Sequence, residues 1–212
     1  DVTALGVTVS AGEAGYEASV AAGGTGVRTL LAFVDGRFER AASVTRNRPS
    51  AWSEETRGAD IVMIGYGEFL ESLAPLKELR EKQGLTVDLV DVEDLYDEYN
   101  FGEKSPFAVK NFLLAAASTW EKKPRYVLLA GGASLDPLNY LGFGDFDFVP
   151  TKLVETAQME TASDDWYVDF TGEGLPSMAV GRLPARTAEE VSAMVGRIVE
   201  YEQGQGGNWK SL

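Results

Sequence analysis

Ile61-Val62-Met63-Ile64-Gly65 is an unbroken apolar run, and its reading decides the fold. A strand with one wet face alternates apolar and polar residues. A run without alternation suits a strand covered on both faces, as in a parallel sheet between layers of helices. The flanking sequence agrees. Leu70, Leu73, Leu76 and Leu79 recur at a spacing of three, which predicts a helix stopping at Gly84 with Pro75 in its first turn. Leu85 to Val92 reads as a second strand. Ser105-Pro106 is an N-cap followed by proline at the first helical position. Val109, Phe112, Leu113, Ala116 and Trp120 then share one helical face, and Pro124 lies past the end. Tyr126 to Ala130 (YVLLA) is a third buried strand and Met178 to Gly181 a fourth. Thr187 to Glu190 fits a capping box, opening a helix with Val191, Met194, Val195 and Ile198 on one face. The alternation predicts an α/β domain: a mainly parallel sheet of about four strands flanked by helices.

Upstream of Asp60 the pattern changes. Residues 1–60 hold eight acids, six arginines and no lysine. Val2 to Val9, Tyr16 to Ala21, Val27 to Val34 and Phe38 to Val44 are short runs rich in β-branched and small residues, and Asp35-Gly36 is a hairpin signal. Residues 1–49 are therefore expected to be the end of an upstream β-rich domain, or strands that pack on a neighbour. Residues 50–58 read as a linker.

Composition excludes much chemistry. The 212 residues contain no histidine and no cysteine. A Ser-His-Asp triad has no base here, and a Cys-His pair lacks both members. Zinc sites built on His and Cys, disulfides and Cys-ligated iron–sulfur clusters are excluded as well. With 19 basic and 33 acidic residues the net charge is −14, which argues against nucleic acid as a partner. No apolar run approaches the roughly 20 residues of a membrane helix. Asp1 opens a polar stretch rather than a signal peptide, and the lack of an initial Met suggests an excised fragment.

The acidity is concentrated. Residues 136–173, within a long insertion between the third and fourth strands (131–177), hold nine acids against Lys152 alone. Ligands of open α/β sheets bind outside the carboxyl ends of the strands, which is where Gly131 to Asp136 leaves the third strand. Gly65-Tyr66-Gly67 lacks the third glycine of a dinucleotide loop, having Leu70 there, and Glu68 and Glu71 would repel a phosphate; a tight turn is the plainer reading. Gly131-Gly132-Ala133-Ser134 is followed by no Lys or Arg and also reads as a turn. Asp169 to Ser177 (DFTGEGLPS) has the texture of a calcium loop, against the alternative of a solvated acidic loop. Asp136, Asp164, Asp165 and Arg182 are further candidates at the sheet edge. Asp164 and Asp165 are read first as turn caps, Arg182 as the partner of a carboxylate from the insertion, and Trp166, Tyr167 and Trp120 as packing.

Several boxes occur together in order: Lys77 to Gly84 (KELREKQG), Val92 to Pro106 (VEDLYDEYNFGEKSP), Tyr126 to Gly131 (YVLLAG), Ser163 to Tyr167 (SDDWY) and Gly174 to Pro184 (GLPSMAVGRLP). The combination resembles the gingipain family of cysteine peptidases, which share a caspase-like fold, over about residues 59–203. The resemblance implies that this stretch is the first subdomain of a peptidase unit. Its second subdomain would carry the catalytic histidine, the cysteine nucleophile and the specificity pocket. Residues 204–212 would lead toward it, and it would belong to the same polypeptide or to a second chain. Alone, this chain is expected to be inactive. The resemblance also implies the cell surface or secreted fraction of a bacterium. Calcium is the cofactor it admits: Glu173 keeps one acidic family ligand, the carbonyls of Phe170 and Leu175 would add to it, and Gly132 and Ser177 stand where members commonly have acids. The other readings are an inactive peptidase-like scaffold or surface-assembly protein, a cation-binding structural module, and a flavodoxin- or receiver-like domain.

Overall fold

The computed structural model describes residues 5–12, 15–21, 23–25, 27, 29–30, 44, 46–47, 49–54 and 56–204. The chain divides into two compact units, Asp1–Arg46 and Asn47–Leu212.

In the first unit β1 (Val7–Gly12) pairs antiparallel with β2 (Gly15–Val20). Val7, Val9 and Ala11 face Val20, Ala18 and Tyr16 in register, so one side of the hairpin is apolar and the other carries Thr8, Ser10, Glu17 and Ser19. Gly15, with φ of +139°, supplies backbone freedom at the reversal. β1 thus begins and ends later than the Val2–Val9 run predicts. The other expected strands, Val27–Val34 and Phe38–Val44 with the Asp35-Gly36 turn, lie mostly outside the described residues.

The second unit has the predicted parallel sheet. β3 (Ile61–Gly65), β4 (Val87–Asp91), β5 (Tyr126–Ala130) and β8 (Ala179–Leu183) lie in the order β4-β3-β5-β8, every pairing parallel. Within the insertion, β6 (Lys152–Glu155) and β7 (Glu160–Ser163) form a small antiparallel hairpin that the sequence reading did not anticipate. The helices are α1 (Ala74–Lys82), α2 (Val92–Asn100), α3 (Pro106–Thr119) and α4 (Ala188–Glu202).

The uninterrupted apolar run of β3 does what it predicts. Val62 and Ile64 join one core with Leu95, Val109, Phe112, Leu113 and Trp120 from the α2–α3 side. Ile61 and Met63 join a second core with Phe69, Leu73, Leu76, Val191 and Val195 from the α1–α4 side. The sheet is therefore the middle of three layers, and its central strands have no wet face. Each core side chain of this size contributes roughly 1.5–3 kcal/mol by leaving water.

Local signals explain the helix ends. Ser105 Oγ accepts from the Phe107 amide at 3.2 Å, and Pro106 opens α3 as expected. Thr187 Oγ1 accepts from the Glu190 amide at 3.2 Å. The Glu190 carboxylate, however, takes the Arg186 amide at 2.7 Å rather than that of Thr187, so the capping box is only half closed. Before α1 the chain makes two 3-10 turns, Gly67–Phe69 and Glu71–Leu73, where a longer helix was expected. The helix α2 lies where a link was expected. Asp91 ends β4 and caps α2 through the Glu93 amide (3.1 Å), so one residue turns strand into helix without a loop.

Residues 50–58 are anchored despite reading as a linker. The Trp52 amide donates to Glu98 at 2.9 Å, its indole to Asp94 at 3.1 Å, and Trp120 donates to the Trp52 carbonyl at 3.2 Å. Arg57 lies 4.3 Å over the Trp52 ring. The amino end of the sheet is closed by Asp60, which is 7% exposed. Its carboxylate accepts from Lys122, from the Thr86 amide at 2.9 Å and hydroxyl at 3.0 Å, and from Arg125 at 3.4 Å. The Lys122 ammonium, the first cause, holds this carboxyl far below the usual range.

Candidate functional site

The carboxyl edge of the sheet gathers the turn after β3, the start of α2, the loop after β5 and the segment after β8. Gly67 must be glycine, because a Cβ there would lie 2.5 Å from Asp91 Oδ2. This close approach of turn and helix cap is why Gly65-Tyr66-Gly67 is tight, and it puts a carboxylate where a phosphate would need to be. Burial pushes the Asp91 carboxyl above its ordinary value, and burial followed by the Asp91 charge does the same to Glu93. Tyr66 packs on Phe69 and Phe148 with ring centroids 5.5 and 5.3 Å away.

The glycine turn after β5 is likewise a structural joint. The Gly131 amide donates to Leu183 O at 2.9 Å and the Gly132 amide to Ala185 O at 2.7 Å. Gly132 O accepts from the Phe148 and Val149 amides at 3.0 and 3.1 Å. With these two amides spent on β8 and its continuation, the turn has neither free donors nor a cation to hold a phosphate.

Arg182 organises the edge. Its Nε and Nη2 donate to the two oxygens of Asp164, each at 2.8 Å. Its Nη1 donates to Gly131 O at 2.8 Å and Val149 O at 2.6 Å, and Nη2 also donates to Pro150 O at 3.0 Å. All five guanidinium hydrogens are thereby used. One side chain of β8 thus fastens both legs of the insertion to the sheet. The expected carboxylate partner of Arg182 is Asp164. Asp164 is accordingly no turn cap: its side chain makes no cap bond on the Asp165–Tyr167 turn and takes Arg182 and the Thr151 hydroxyl (3.2 Å) instead. Asp165 is exposed at the start of that turn. Tyr167 is fully buried and donates to Pro150 O at 2.5 Å, while Trp166 packs half-buried against the core, both as expected.

Asp136 is a loop organiser, accepting the Tyr140 amide at 2.9 Å and the Leu141 amide at 2.7 Å. Asp169 plays the same part in its own loop, accepting from Gly172 and Gly174, each at 2.9 Å; these bonds, the Gly174 one first, hold its carboxyl below the ordinary value. Lys110 ties that loop to α3 through the carbonyls of Trp166 (2.8 Å) and Asp169 (2.7 Å). In the calcium-loop reading, Glu173 and Leu175 are exposed, Phe170 packs partly against the core, and the Ser177 amide is held by Val168 O at 2.8 Å. The nearest atoms to a Cβ at Gly132 belong to the carbonyls of Ala185 and Phe146. Among the described residues no three His, Cys, Asp or Glu side chains gather where they would hold a metal. The carboxylates of this segment do not fit a calcium ion.

A buried ion pair escaped the sequence reading. Asp147, only 2% exposed, accepts the Ser134 amide at 2.8 Å. Lys104 Nζ stands 3.3 Å from its other oxygen, an ionic contact whose angles do not make a hydrogen bond, and 3.8 Å from Asp145. The alternation Asp145-Phe146-Asp147-Phe148 was the available signal, since it puts one acid of the pair inward. Every polar group at this edge is thus engaged in positioning, and none forms a nucleophile–base pair.

A parallel four-stranded α/β layer sandwich with its loops organised at the carboxyl edge defines a peptidase-type domain of the gingipain kind. Comparison with known proteins agrees. The sequence profile of peptidase family C25 matches residues 54–212, and the chain belongs to this family. An uncharacterized protein of Archaeoglobus fulgidus is 25% identical over 156 residues, covering 68% of this chain and 35% of that protein. The crystal structure of dimeric latent PorU from Porphyromonas gingivalis superposes with a TM-score of 0.58 and 24% identity, over 73% of this chain and 16% of that one. The Arg-specific cysteine proteinase gingipain R aligns with a TM-score of 0.49 and 18% identity, over 73% of this chain and 30% of that one. The chain therefore spans well under half the length of each. Among the described residues no helix is long and apolar enough to cross a membrane.

Proposed function

We propose that residues 59–203 form the first, non-catalytic subdomain of a gingipain-like cysteine peptidase, supporting a companion subdomain that carries the histidine and the cysteine. Residues 1–49 would be the end of a β-rich region and residues 204–212 the lead toward the companion. In that companion a thiolate would attack the peptide carbonyl, with imidazole as general acid and base.

One observation carries the reading: a complete peptidase-family layer, in a chain without His or Cys, ends at a strand edge with no partner among the described residues. The sheet has two such edges, and they differ. β4 carries Asp88 and Asp91, charges of the kind that blunt an edge. β8 offers Ala179 and Gly181, both exposed and small enough for another backbone to approach. Its one charged side chain, Arg182, is turned to the insertion. The companion would extend the sheet from β8.

By resemblance the setting is the surface or secreted fraction of a bacterium, although a similar chain also occurs in an archaeon. The reading is tested by assaying the chain alone and the longer polypeptide that carries it for peptide cleavage sensitive to thiol reagents. The chain alone should show none and the longer polypeptide should be active. Turnover by the chain alone contradicts the reading. A folded but inactive longer polypeptide would instead favour the scaffold alternative.

A further inference from the structure

The loop after β5 holds large apolar side chains outward in a fixed arrangement. Leu135, Leu138, Tyr140, Leu141 and Phe143 are between 63% and 83% exposed. Elsewhere in the second unit such residues stand singly, as Phe101, Phe107, Met159 and Leu175 do. The two rings of the loop alone present roughly 300 Å², already within the range that marks interaction sites on single-chain proteins.

The loop is not collapsed, because its own polar groups hold it open. Asp136 takes the amides of Tyr140 and Leu141 at 2.9 and 2.7 Å. Asn139, in the left-handed region at φ 52°, takes the Gly144 amide on its side chain at 2.9 Å and the Gly142 amide on its carbonyl at 3.1 Å. Both ends are pinned, by Arg182 at Gly131 and Val149 and by the Lys104–Asp147 pair. The rings are thus displayed at small entropic cost to a partner.

Charge decides what covers them. Residues 131–149 contain Asp136, Asp145 and Asp147 and no base, and the one lysine at their side, Lys104, is already paired. A second copy of this chain would bring the same acids against these, and an anionic lipid surface would be repelled likewise. We propose that this loop is the docking knuckle for the companion subdomain, whose contact face is an apolar socket rimmed by Lys and Arg. The inference rests on the companion reading above and adds the site and chemistry of contact to it.

The test compares unfolding midpoints of the chain alone and of the longer polypeptide, each with and without the combined change Leu138→Ser, Tyr140→Ser, Leu141→Ser and Phe143→Ser. In the chain alone the exposed substitutions should shift the midpoint by no more than about 1 °C. In the unchanged longer polypeptide this domain should melt at least about 5 °C higher than alone, and the combined change should abolish that rise. Asp145→Lys, whose side chain is 75% exposed, should at least halve the rise by charge alone, so the test survives if the fourfold change disturbs the loop. A rise that persists in both variants overturns the docking loop and leaves the companion reading standing. No rise in the unchanged polypeptide overturns both.

Discussion

The two ends of the central sheet are each tied by a buried ionic hub, and the hubs differ in kind. At the amino end a carboxylate is the centre: Asp60 draws in Lys122, Thr86 and Arg125 and joins β3, β4 and the approach to β5. At the carboxyl end a guanidinium is the centre: Arg182 spends its donors on Asp164 and on three carbonyls of the insertion. The first hub closes an end. The second holds up a loop that displays apolar residues. A carboxylate suits the closed end, where amides and cations converge. A planar fork suits the end where several carbonyls must be held at once.

The contrast can be broken by mutation. Arg182→Ala should have the largest effect, because it leaves Asp164 and three carbonyls without their donor. A loss of about 3–5 kcal/mol, or about 10 °C in melting midpoint, is expected. Arg182→Lys should recover only a minor part, since an ammonium cannot serve the same fork. A drop under about 2 °C for Arg182→Ala would mean that the hub is idle.

Asp60→Asn should lower the midpoint by about 5 °C at neutral pH. Because the folded carboxyl is held below its ordinary value of 3.8, the stability it supplies is fully present above that value. It is lost as pH falls below it toward the depressed folded value. Variant and wild type should therefore converge in acid, and a gap independent of pH would contradict the ionic account.

Asp91→Asn should act with the opposite sign. Burial raises this carboxyl, so its charge opposes folding at neutral pH, and the penalty fades as pH falls through the raised value. Asn keeps the helix cap, and the midpoint should rise by about 1–2 °C. A fall of that size would show that Asp91 does more than cap α2. Smallest of all, millimolar calcium measured against chelator should shift the midpoint by less than about 1 °C. A larger rise would place a cation on residues 169–177.

The layers were legible in sequence because burial writes periodicity. Ile61 to Gly65 without alternation, and Val109 to Trp120 on one helical face, are direct records of a two-faced core. The connection β4–α2 was not legible, because Asp91 serves both elements and leaves no turn residue to read. The family was readable from the order of its boxes. The edge was readable only in part: Arg182 needed a carboxylate, but nothing local says that Asp164, eighteen positions earlier, is the one. Asp147 was hidden for a similar reason, since burial of an acid depends on a lysine 43 positions away. Exposure of the 135–143 side chains was also unreadable, for an apolar loop in sequence is as easily a buried one.

The central claim is that this layer ends at β8 to receive a companion. Amide hydrogen exchange on Ala179–Leu183, in the chain alone and in the longer polypeptide, tests it most directly. Pairing of the open edge should slow exchange of the outward amides of β8 by about 100-fold or more, with β4 little changed. Equal rates on β8 in the two forms, or protection appearing on β4 instead, would contradict the account.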